Sequence, residues 1–228
     1  MKRISGLFAF ILVAFVLSCG NNNEAGVEQN KKVDEGAAST NKDSLKNILF
    51  FGNSLTAGYG LDEPGQAFPA LIQQKIDSLN LPYRVINGGN SGETTSGGLN
   101  RIDFILKQQP IDVFVLELGA NDGLRGVPLE QTRKNLQGII DKVKAKYPNV
   151  KLVMAGMQVP PNMGKDYATD FRNIFSELAR KNNMTLIPFL LEGVGGEAKY
   201  NQRDGIHPTA EGHVILAENV WTELKNVL

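Results

Sequence analysis

A serine, a histidine and an aspartate stand where they could form a site for acyl transfer. Ser54 follows the short apolar run 47–51, and His207 lies in the segment Asp-Gly-Ile-His-Pro at 204–208, just before the last predicted helix. Serine is a weak nucleophile unless a neighbouring base takes its proton, and histidine can do so at neutral pH. Asp204 precedes His207 closely enough for a turn to bring its carboxylate to the imidazole, where it would fix the tautomer and stabilise the imidazolium.

The chain has only 2 histidines, so the candidate bases are few. The second, His213, lies inside the predicted last helix beside the apolar Val214. We interpret it as an ordinary helix histidine, at the surface or partly buried, rather than as a catalytic base.

Acyl transfer also needs hydrogen-bond donors aimed at the oxyanion of the tetrahedral intermediate. The backbone N–H of Ser54 is one candidate. Gly92 lies in a glycine-rich loop and can present its N–H without a side chain in the way. Asn121 can offer its side-chain amide, although many asparagines in such loops only form Asx-turns or cap helices. The expected oxyanion hole therefore combines Ser54, Gly92 and Asn121.

Short apolar runs alternate with amphipathic segments along most of the chain, which is the pattern of a parallel sheet covered by helices on both faces. We predict an α/β protein with a doubly wound, three-layer α/β/α sandwich. In such sheets the ligand lies beyond the carboxyl ends of the strands, where the candidate residues above also fall. The predicted strands are 47–51, 83–86, 111–118, 150–155 and 184–187.

The first residues have the pattern of an export signal. Basic residues precede an uncharged, mostly apolar stretch at 4–17, which is too short to span a bilayer because a spanning helix needs about 20 residues. The segment Val-Leu-Ser-Cys at 16–19 resembles a bacterial lipobox. We predict a lipoprotein signal peptide at 1–18 and a lipid anchor on Cys19, which would make this an exported, membrane-anchored protein. The alternative is an ordinary cleaved signal with an incidental cysteine.

The segment after Cys19 is almost wholly polar and cannot bury a core, so 19–44 is predicted to be the lipidated cysteine and a flexible tether. The remaining segment, 45–228, shows no internal repeat and no second linker. We therefore predict one folded domain there. No feature of the sequence indicates an oligomeric state.

Composition excludes several other classes of protein. Lys+Arg and Asp+Glu both number 24, and this zero net charge argues against a nucleic-acid partner, which needs a positive surface. The single cysteine excludes an intrachain disulfide, and with so few histidines a zinc site is improbable. The glycine-rich fingerprints of nucleotide-binding loops and the Gly-x-Ser-x-Gly elbow of α/β-hydrolases are absent from the sequence. No metal and no cofactor are expected.

Four segments in order resemble the conserved blocks of the SGNH-hydrolase (GDSL-lipase) family. They are Gly-Asn-Ser-Leu at 52–55, Ser-Gly-Glu-Thr-Thr at 91–95, Gly-Ala-Asn-Asp-Gly-Leu-Arg-Gly at 119–126 and Asp-Gly-Ile-His-Pro at 204–208. The resemblance is greatest to its thioesterase I, lysophospholipase and arylesterase branch and covers essentially all of 45–228.

This resemblance implies Ser54 as nucleophile, His207 as base with Asp204 as its partner, and Gly92 and Asn121 as oxyanion donors. It also implies a flavodoxin-like five-stranded parallel sheet in the order 2-1-3-4-5 and activity without a metal. The expected function is a serine esterase that hydrolyses carboxylic esters, with small esters, thioesters or lysophospholipids as substrates.

One departure from the family pattern is Asn53, where the family usually has an acid before the serine. An amide can still accept and donate local hydrogen bonds, so we expect the turn to survive. Glu117, in an apolar strand, is interpreted as a paired or end-of-strand acid without a catalytic role, because buried acids need partners. Asp122 is expected either to anchor the loop of Asn121 or to be a solvated turn residue.

Substrate specificity is the least determined property. The loop from Leu124 to Val127 is a candidate mobile wall of an acyl pocket. The candidate apolar lining, against an alternative of plain loop packing, consists of Met157, Val159, Pro160 and Met163. A carbohydrate O-acetyl esterase or an acetyltransferase of the same fold is the enzymatic alternative. A non-catalytic lipid-tethered binding module is a further alternative, and the intact Ser54, Asp204 and His207 argue against it.

Overall fold

The computed structural model describes residues 45–228. The predicted signal peptide, the lipid anchor on Cys19 and the polar tether lie outside the described residues. Within the described part, no helix is both long enough and apolar enough to cross a bilayer.

The described chain forms a five-stranded parallel sheet in the order β2-β1-β3-β4-β5, which confirms the predicted order. The strands are β1 (Lys46–Gly52), β2 (Tyr83–Gly89), β3 (Val113–Glu117), β4 (Lys151–Ala155) and β5 (Thr185–Ile187). All five residues of β3 are buried, as expected of a central strand covered on both faces. This strand is shorter than the predicted 111–118.

Seven α-helices cover the sheet in the described part of the chain. They are α1 (Ser54–Ala57), α2 (Phe68–Ser78), α3 (Thr95–Ile105), α4 (Ala120–Leu124), α5 (Leu129–Lys146), α6 (Lys165–Asn182) and α7 (Ala210–Leu224). Helices α2 and α7 pack against each other, while α5 packs against both α3 and α6. The three-layer sandwich predicted from the sequence is therefore confirmed.

Helix ends follow local signals in the sequence. Pro128 is the N-cap of α5, and Tyr147 caps its other end just before Pro148. The last helix, α7, ends at Leu224, and a 3₁₀ turn follows over Lys225–Val227.

The sheet contributes the centre of the hydrophobic core. Phe50 of β1 is fully buried and meets the ring of Phe68 edge to face, with ring centroids 5.5 Å apart. Because β1 and β3 are neighbours, their carboxyl ends emerge side by side, with Gly52 opposite Glu117 in the register. The short helices α1 and α4 begin just beyond these ends and carry the candidate site residues.

Candidate active site

The nucleophile candidate lies at the tight junction between β1 and α1. Asn53 is the N-cap of α1, and its Oδ1 accepts a hydrogen bond from the Leu55 N–H at 2.9 Å. Ser54 is the first residue of the helix and is 8% exposed, so its hydroxyl is sheltered but reachable. The Ser54 Oγ lies 3.3 Å from the same Asn53 oxygen. Asparagine thus preserves the turn in place of the usual acid.

The acid at the end of β3 supports this turn from below. The fully buried Glu117 carboxylate accepts hydrogen bonds from the Asn53 backbone N–H at 3.1 Å, the Asn53 Nδ2 at 2.7 Å and the Thr56 Oγ1 at 2.7 Å. Burial raises the pKa of Glu117 to about 7, and the hydrogen bonds from Thr56 and Asn53 limit the rise. Glu117 is a partnered acid at a strand end.

The strand end at Gly52 can only be glycine without rearrangement. A Cβ there would lie 2.1 Å from Thr56 Oγ1 and 2.4 Å from Glu117 Oε2, far inside van der Waals contact. The carboxylate therefore packs directly against the backbone that leads into Ser54.

The imidazole and its carboxylate partner approach Ser54 from the segment before α7. His207 Nε2 lies 2.9 Å from Ser54 Oγ, and His207 Nδ1 lies 2.6 Å from Asp204 Oδ2. The hydrogen bond to His207 lowers the pKa of Asp204 to about 2, so the partner is a carboxylate at neutral pH. A carboxylate can only accept, so Nδ1 carries the imidazole proton and Nε2 is free to accept the Ser54 hydroxyl proton.

Local contacts fold the Asp204 to His207 segment into a compact turn. Asp204 Oδ1 accepts from the backbone N–H groups of Ile206 at 3.0 Å and His207 at 3.1 Å. The Gln202 N–H donates to the His207 carbonyl at 2.7 Å, and Gln202 Nε2 donates to the Tyr59 carbonyl at 2.8 Å. The Tyr59 ring packs on the imidazole with centroids 4.6 Å apart.

The three expected oxyanion donors are presented at the same edge of the sheet. Gly92 has a φ of +78°, a left-handed conformation that favours glycine. Within residues 45–228, the N–H groups of Ser54 and Gly92 donate to no protein acceptor. Asn121 Nδ2 donates one hydrogen to the Glu93 carbonyl at 3.0 Å, which orients the amide and leaves its second hydrogen available.

Asp122 anchors the loop that carries Asn121. This is the first of the two interpretations drawn from the sequence, and the alternative of a solvated turn residue is wrong. Its carboxylate is 1% exposed and accepts from the Thr95 backbone N–H at 2.8 Å and from the Thr95 hydroxyl at 2.5 Å. This contact ties α4 to the start of α3 and so fixes the spacing between the two oxyanion loops.

The site opens into a cavity of about 800 Å³, within the range of small-molecule pockets. Ser54, Gly92, Asn121 and His207 line it together with four of the candidate acyl-pocket residues, which are Leu124, Met157, Val159 and Pro160. Met163 is not among the lining residues; it packs against the core instead.

Sequence reasoning missed part of the apolar lining, namely Leu55, Tyr59, Phe189, Leu191 and Ile206. Phe189 and Leu191 follow β5 at the carboxyl edge of the sheet, so the rule that located the polar residues could also have located these two.

The second histidine is more deeply buried than its sequence context indicated. His213 is 1% exposed, and its Nδ1 accepts from the Phe68 N–H at 3.2 Å, which joins α7 to the start of α2. Burial lowers its pKa to about 4, so the ring is neutral and structural. Among the described residues, no group of three or more His, Cys, Asp or Glu is placed to hold a metal ion.

A serine hydroxyl, an imidazole and a carboxylate in hydrogen-bonding sequence, at the carboxyl edge of a three-layer α/β/α sandwich, define a serine hydrolase. A family model described as the GDSL-like lipase/acylhydrolase family matches residues 50–215. The chain therefore belongs to that family.

Named relatives agree with this placement. The chain is 38% identical over 189 residues to the esterase TesA of Pseudomonas aeruginosa, covering 83% of this chain and 92% of that protein. It is 36% identical over 178 residues to thioesterase 1/protease 1/lysophospholipase L1 of Escherichia coli, covering 78% of this chain and 83% of that protein.

A crystal structure of TesA matches the fold with a TM-score of 0.77 and 38% identity, covering 80% of this chain and all of that chain. The protein is thus a serine esterase of the carboxylic ester hydrolase class.

Proposed function

We propose that the protein hydrolyses carboxylic esters of short to medium acyl chain length through an acyl-enzyme on Ser54. The observation that carries this proposal is the continuous hydrogen-bonded series from Ser54 Oγ to His207 Nε2 at 2.9 Å and from His207 Nδ1 to Asp204 Oδ2 at 2.6 Å. Ser54 and His207 of this series line a largely apolar cavity.

In the first half of the reaction, His207 Nε2 takes the hydroxyl proton as Ser54 Oγ forms a bond to the carbonyl carbon. The carbonyl π electrons move to oxygen and give a tetrahedral oxyanion. The C–O bond to the leaving group then breaks, and the departing oxygen receives the proton from His207. Water repeats the same two steps on the acyl-enzyme and releases the carboxylic acid.

The oxyanion is stabilised by donors that are already oriented before the substrate arrives. Ser54, Gly92 and Asn121 line the cavity where charge develops, and the Glu93 carbonyl already holds the Asn121 amide, so little reorganisation accompanies the reaction. Asp204 remains a carboxylate throughout and stabilises the imidazolium formed on His207.

The cavity favours a hydrophobic acyl group. Apolar side chains form much of its wall, whereas the polar groups in hydrogen-bonding sequence lie at the reacting centre. A relative named thioesterase 1/protease 1/lysophospholipase L1 makes thioesters and lysophospholipids the second candidate substrates, cleaved by the same atoms. Carbohydrate O-acetyl esters are a third, and an acetyltransferase reaction would need the same acyl-enzyme to exclude water.

Hydrolysis of p-nitrophenyl esters from acetate to palmitate tests the proposal. We expect activity to peak at short or medium chains, and Ser54→Ala to lower kcat by about 10⁶-fold. Ser91→Ala is a matched control, because Ser91 lines the same cavity outside the hydrogen-bonded series. Full esterase activity in Ser54→Ala would contradict the assignment. Absent turnover with tight binding of a fatty acid would favour the binding-module alternative.

We also propose that the protein is an exported lipoprotein held to a membrane through acyl chains on Cys19. The support is the apolar segment at 4–17 followed by a lipobox-like Val-Leu-Ser-Cys and by the chain's only cysteine. Labelled palmitate should be incorporated into the full chain in a bacterial host and not into Cys19→Ser. An unlabelled parent chain in the soluble fraction would refute the anchor.

A further inference from the structure

Glu117 is a buried carboxylate without a cationic partner. It is fully buried, and within the described residues it forms no ion pair. Burying a charged group is costly unless hydrogen bonds replace its hydration. All its side-chain hydrogen bonds in the described chain come from Asn53 and Thr56, which flank Ser54 in the nucleophile turn.

The amide of Asn53 is used at both ends, so its orientation matters. Its Oδ1 accepts from the Leu55 N–H at 2.9 Å and caps α1, while its Nδ2 donates to Glu117 Oε1 at 2.7 Å. Glu117 Oε2 accepts from the Asn53 backbone N–H at 3.1 Å and from Thr56 Oγ1 at 2.7 Å. A flipped amide would set donor against donor at the cap and acceptor against acceptor at the carboxylate.

We propose that Glu117 is a positioning residue for Ser54, acting through Asn53, and that the amide at 53 makes this contact without a shared proton. The inference rests on the proposed role of Ser54 as the nucleophile. An acid at 53 would face the Glu117 carboxylate, and two carboxyl groups in contact must share one proton. The asparagine in this chain removes that requirement.

Other charged groups near the carboxyl edge are engaged elsewhere. Asp122 on α4 is held by Thr95, and Glu93 accepts from Arg101 of α3. His207 reaches the turn only through Ser54 Oγ, and its other ring nitrogen contacts Asp204. The two residues that donate hydrogen bonds to Glu117, Asn53 and Thr56, have no titratable side chain. Exchanging the amide at 53 and the carboxylate at 117 therefore tests this pair without a third titrating group.

The geometry predicts a specific pattern of damage and rescue. In Glu117→Gln, the new oxygen can accept from the Asn53 backbone and Thr56, but the new NH₂ group then faces Asn53 Nδ2, donor against donor. In Asn53→Asp, two carboxyl groups face each other. In the double variant Asn53→Asp/Glu117→Gln, the new amide donates to the new carboxylate, whose other oxygen still caps α1. The hydrogen bond between the two side chains is restored with its direction reversed, and the hydrogen bonds from the backbone N–H groups and from Thr56 keep their direction.

The experiment is a double-mutant cycle on ester hydrolysis, with kcat and KM measured for each variant. At pH 8, where Glu117 is ionised and a carboxyl pair has given up its shared proton, Glu117→Gln and Asn53→Asp should each lower kcat by about 10- to 100-fold. KM should stay within about twofold, because a displaced nucleophile slows chemistry more than binding. The double variant should return to within about threefold of the parent kcat. Glu130→Gln, an exposed acid on α5, is the control and should match the parent.

A pH profile adds a readout that a purely structural role would not move. Asn53→Asp alone should lose kcat as the pH rises and the pair gives up its shared proton, whereas the double variant should not show this loss. Thermal unfolding of every variant verifies that each is folded.

A double variant no faster than the slower single variant overturns the inference. Parent-like kcat in both single variants, with Ser54→Ala inactive, also overturns it and leaves the proposed function intact. Parent-like activity in Ser54→Ala would instead remove the proposed nucleophile.

Discussion

The proposed triad joins two regions that are held in place by different means. Ser54 lies between β1 and α1, above the fully buried Glu117, and its turn is fixed by hydrogen bonds to the end of a central strand. Asp204 and His207 lie in a surface turn, where the Asp204 side chain is 40% exposed and the His207 side chain 17% exposed. Most contacts that shape this second turn come from nearby residues.

Because the two turns are held in place differently, we expect substitutions in them to have different effects on stability and on the catalytic rate. Changes at the nucleophile turn disturb the packing of the sheet and should affect both folding and rate. Changes in the surface turn remove little buried area and should affect the rate far more than stability. The same reaction thus depends on one group positioned by the core and another positioned by a local turn.

The sharpest way to test this separation is Asp204→Asn. The amide cannot hold His207 in the required tautomer or stabilise the imidazolium, so kcat should fall by about 10⁴-fold. The melting temperature should fall by only about 2–4 °C, because the exposed carboxylate contributes on the order of 1 kcal/mol to stability. Asp62→Asn, at another exposed aspartate, is the control. A large drop in melting temperature would show that the surface turn also supports the fold.

Asn121→Ala probes the expected oxyanion donor on α4, which belongs to neither of the two regions. Loss of one oxyanion donor should lower kcat by about 10²- to 10³-fold with little change in KM, since the donor acts on the transition state. Steady-state kinetics on the preferred p-nitrophenyl ester measure this, with the exposed Asn226→Ala as control. An effect confined to KM would assign Asn121 to substrate binding instead.

Alanine substitutions at one glycine in each region compare how much the two regions contribute to the free energy of unfolding. In Gly52→Ala the new Cβ would lie 2.1 Å from Thr56 Oγ1 and 2.8 Å from the Glu117 carbonyl oxygen, and the free energy of unfolding should fall by about 3 kcal/mol. Gly205 has a φ of +76° with open space around it, so Gly205→Ala should cost only about 1 kcal/mol of backbone strain. Urea unfolding measures both. Equal losses would contradict the contrast.

The two acids should also give opposite pH dependence of stability. The folded-state pKa of Glu117 is raised to about 7, so its contribution is complete below pH 4.5 and is lost as the pH rises through 7. The folded-state pKa of Asp204 is lowered to about 2, so its contribution is present above pH 3.8 and is lost as the pH falls through 2.

Urea unfolding of the parent and Glu117→Gln at pH 5 and pH 8 tests the Glu117 component. Between these values the parent should lose about 2 kcal/mol of unfolding free energy relative to the variant, because glutamine does not titrate. Parallel changes in the two proteins would show that Glu117 keeps an ordinary pKa.

Much of the architecture could be predicted because the apolar runs and helix periods are local signals. The apolar run within the predicted strand 111–118 forms the buried strand β3. Three of the four sequence blocks lie at or just beyond the ends of β1, β2 and β3, where a parallel sheet gathers its loops, and the fourth precedes α7. The structure brings Ser54, His207 and Asp204 into hydrogen-bonding sequence, while their catalytic roles stay predictions until the variants are measured.

What could not be predicted depends on register and helix packing. Glu117 was expected to have partners, but only the register that sets Gly52 opposite Glu117 identifies them as Asn53 and Thr56. Likewise, the burial of His213 follows from the packing of α7 against α2, where its ring accepts from the Phe68 N–H. No spacing along the chain encodes such contacts between distant segments.

The direction in which the chain enters the sheet has a practical consequence. The polypeptide before Lys46 joins β1 at its amino end, and Leu228 lies at the same side, where its carbonyl accepts from the Tyr83 hydroxyl at 2.6 Å. The cavity mouth is at the other side, about 23 Å away along the 7 residues of β1. A molecule attached to a surface directly at Leu45 therefore has its mouth on the side away from that surface. Fusion partners joined directly at Leu45 or at Leu228 leave the entrance to the cavity unobstructed.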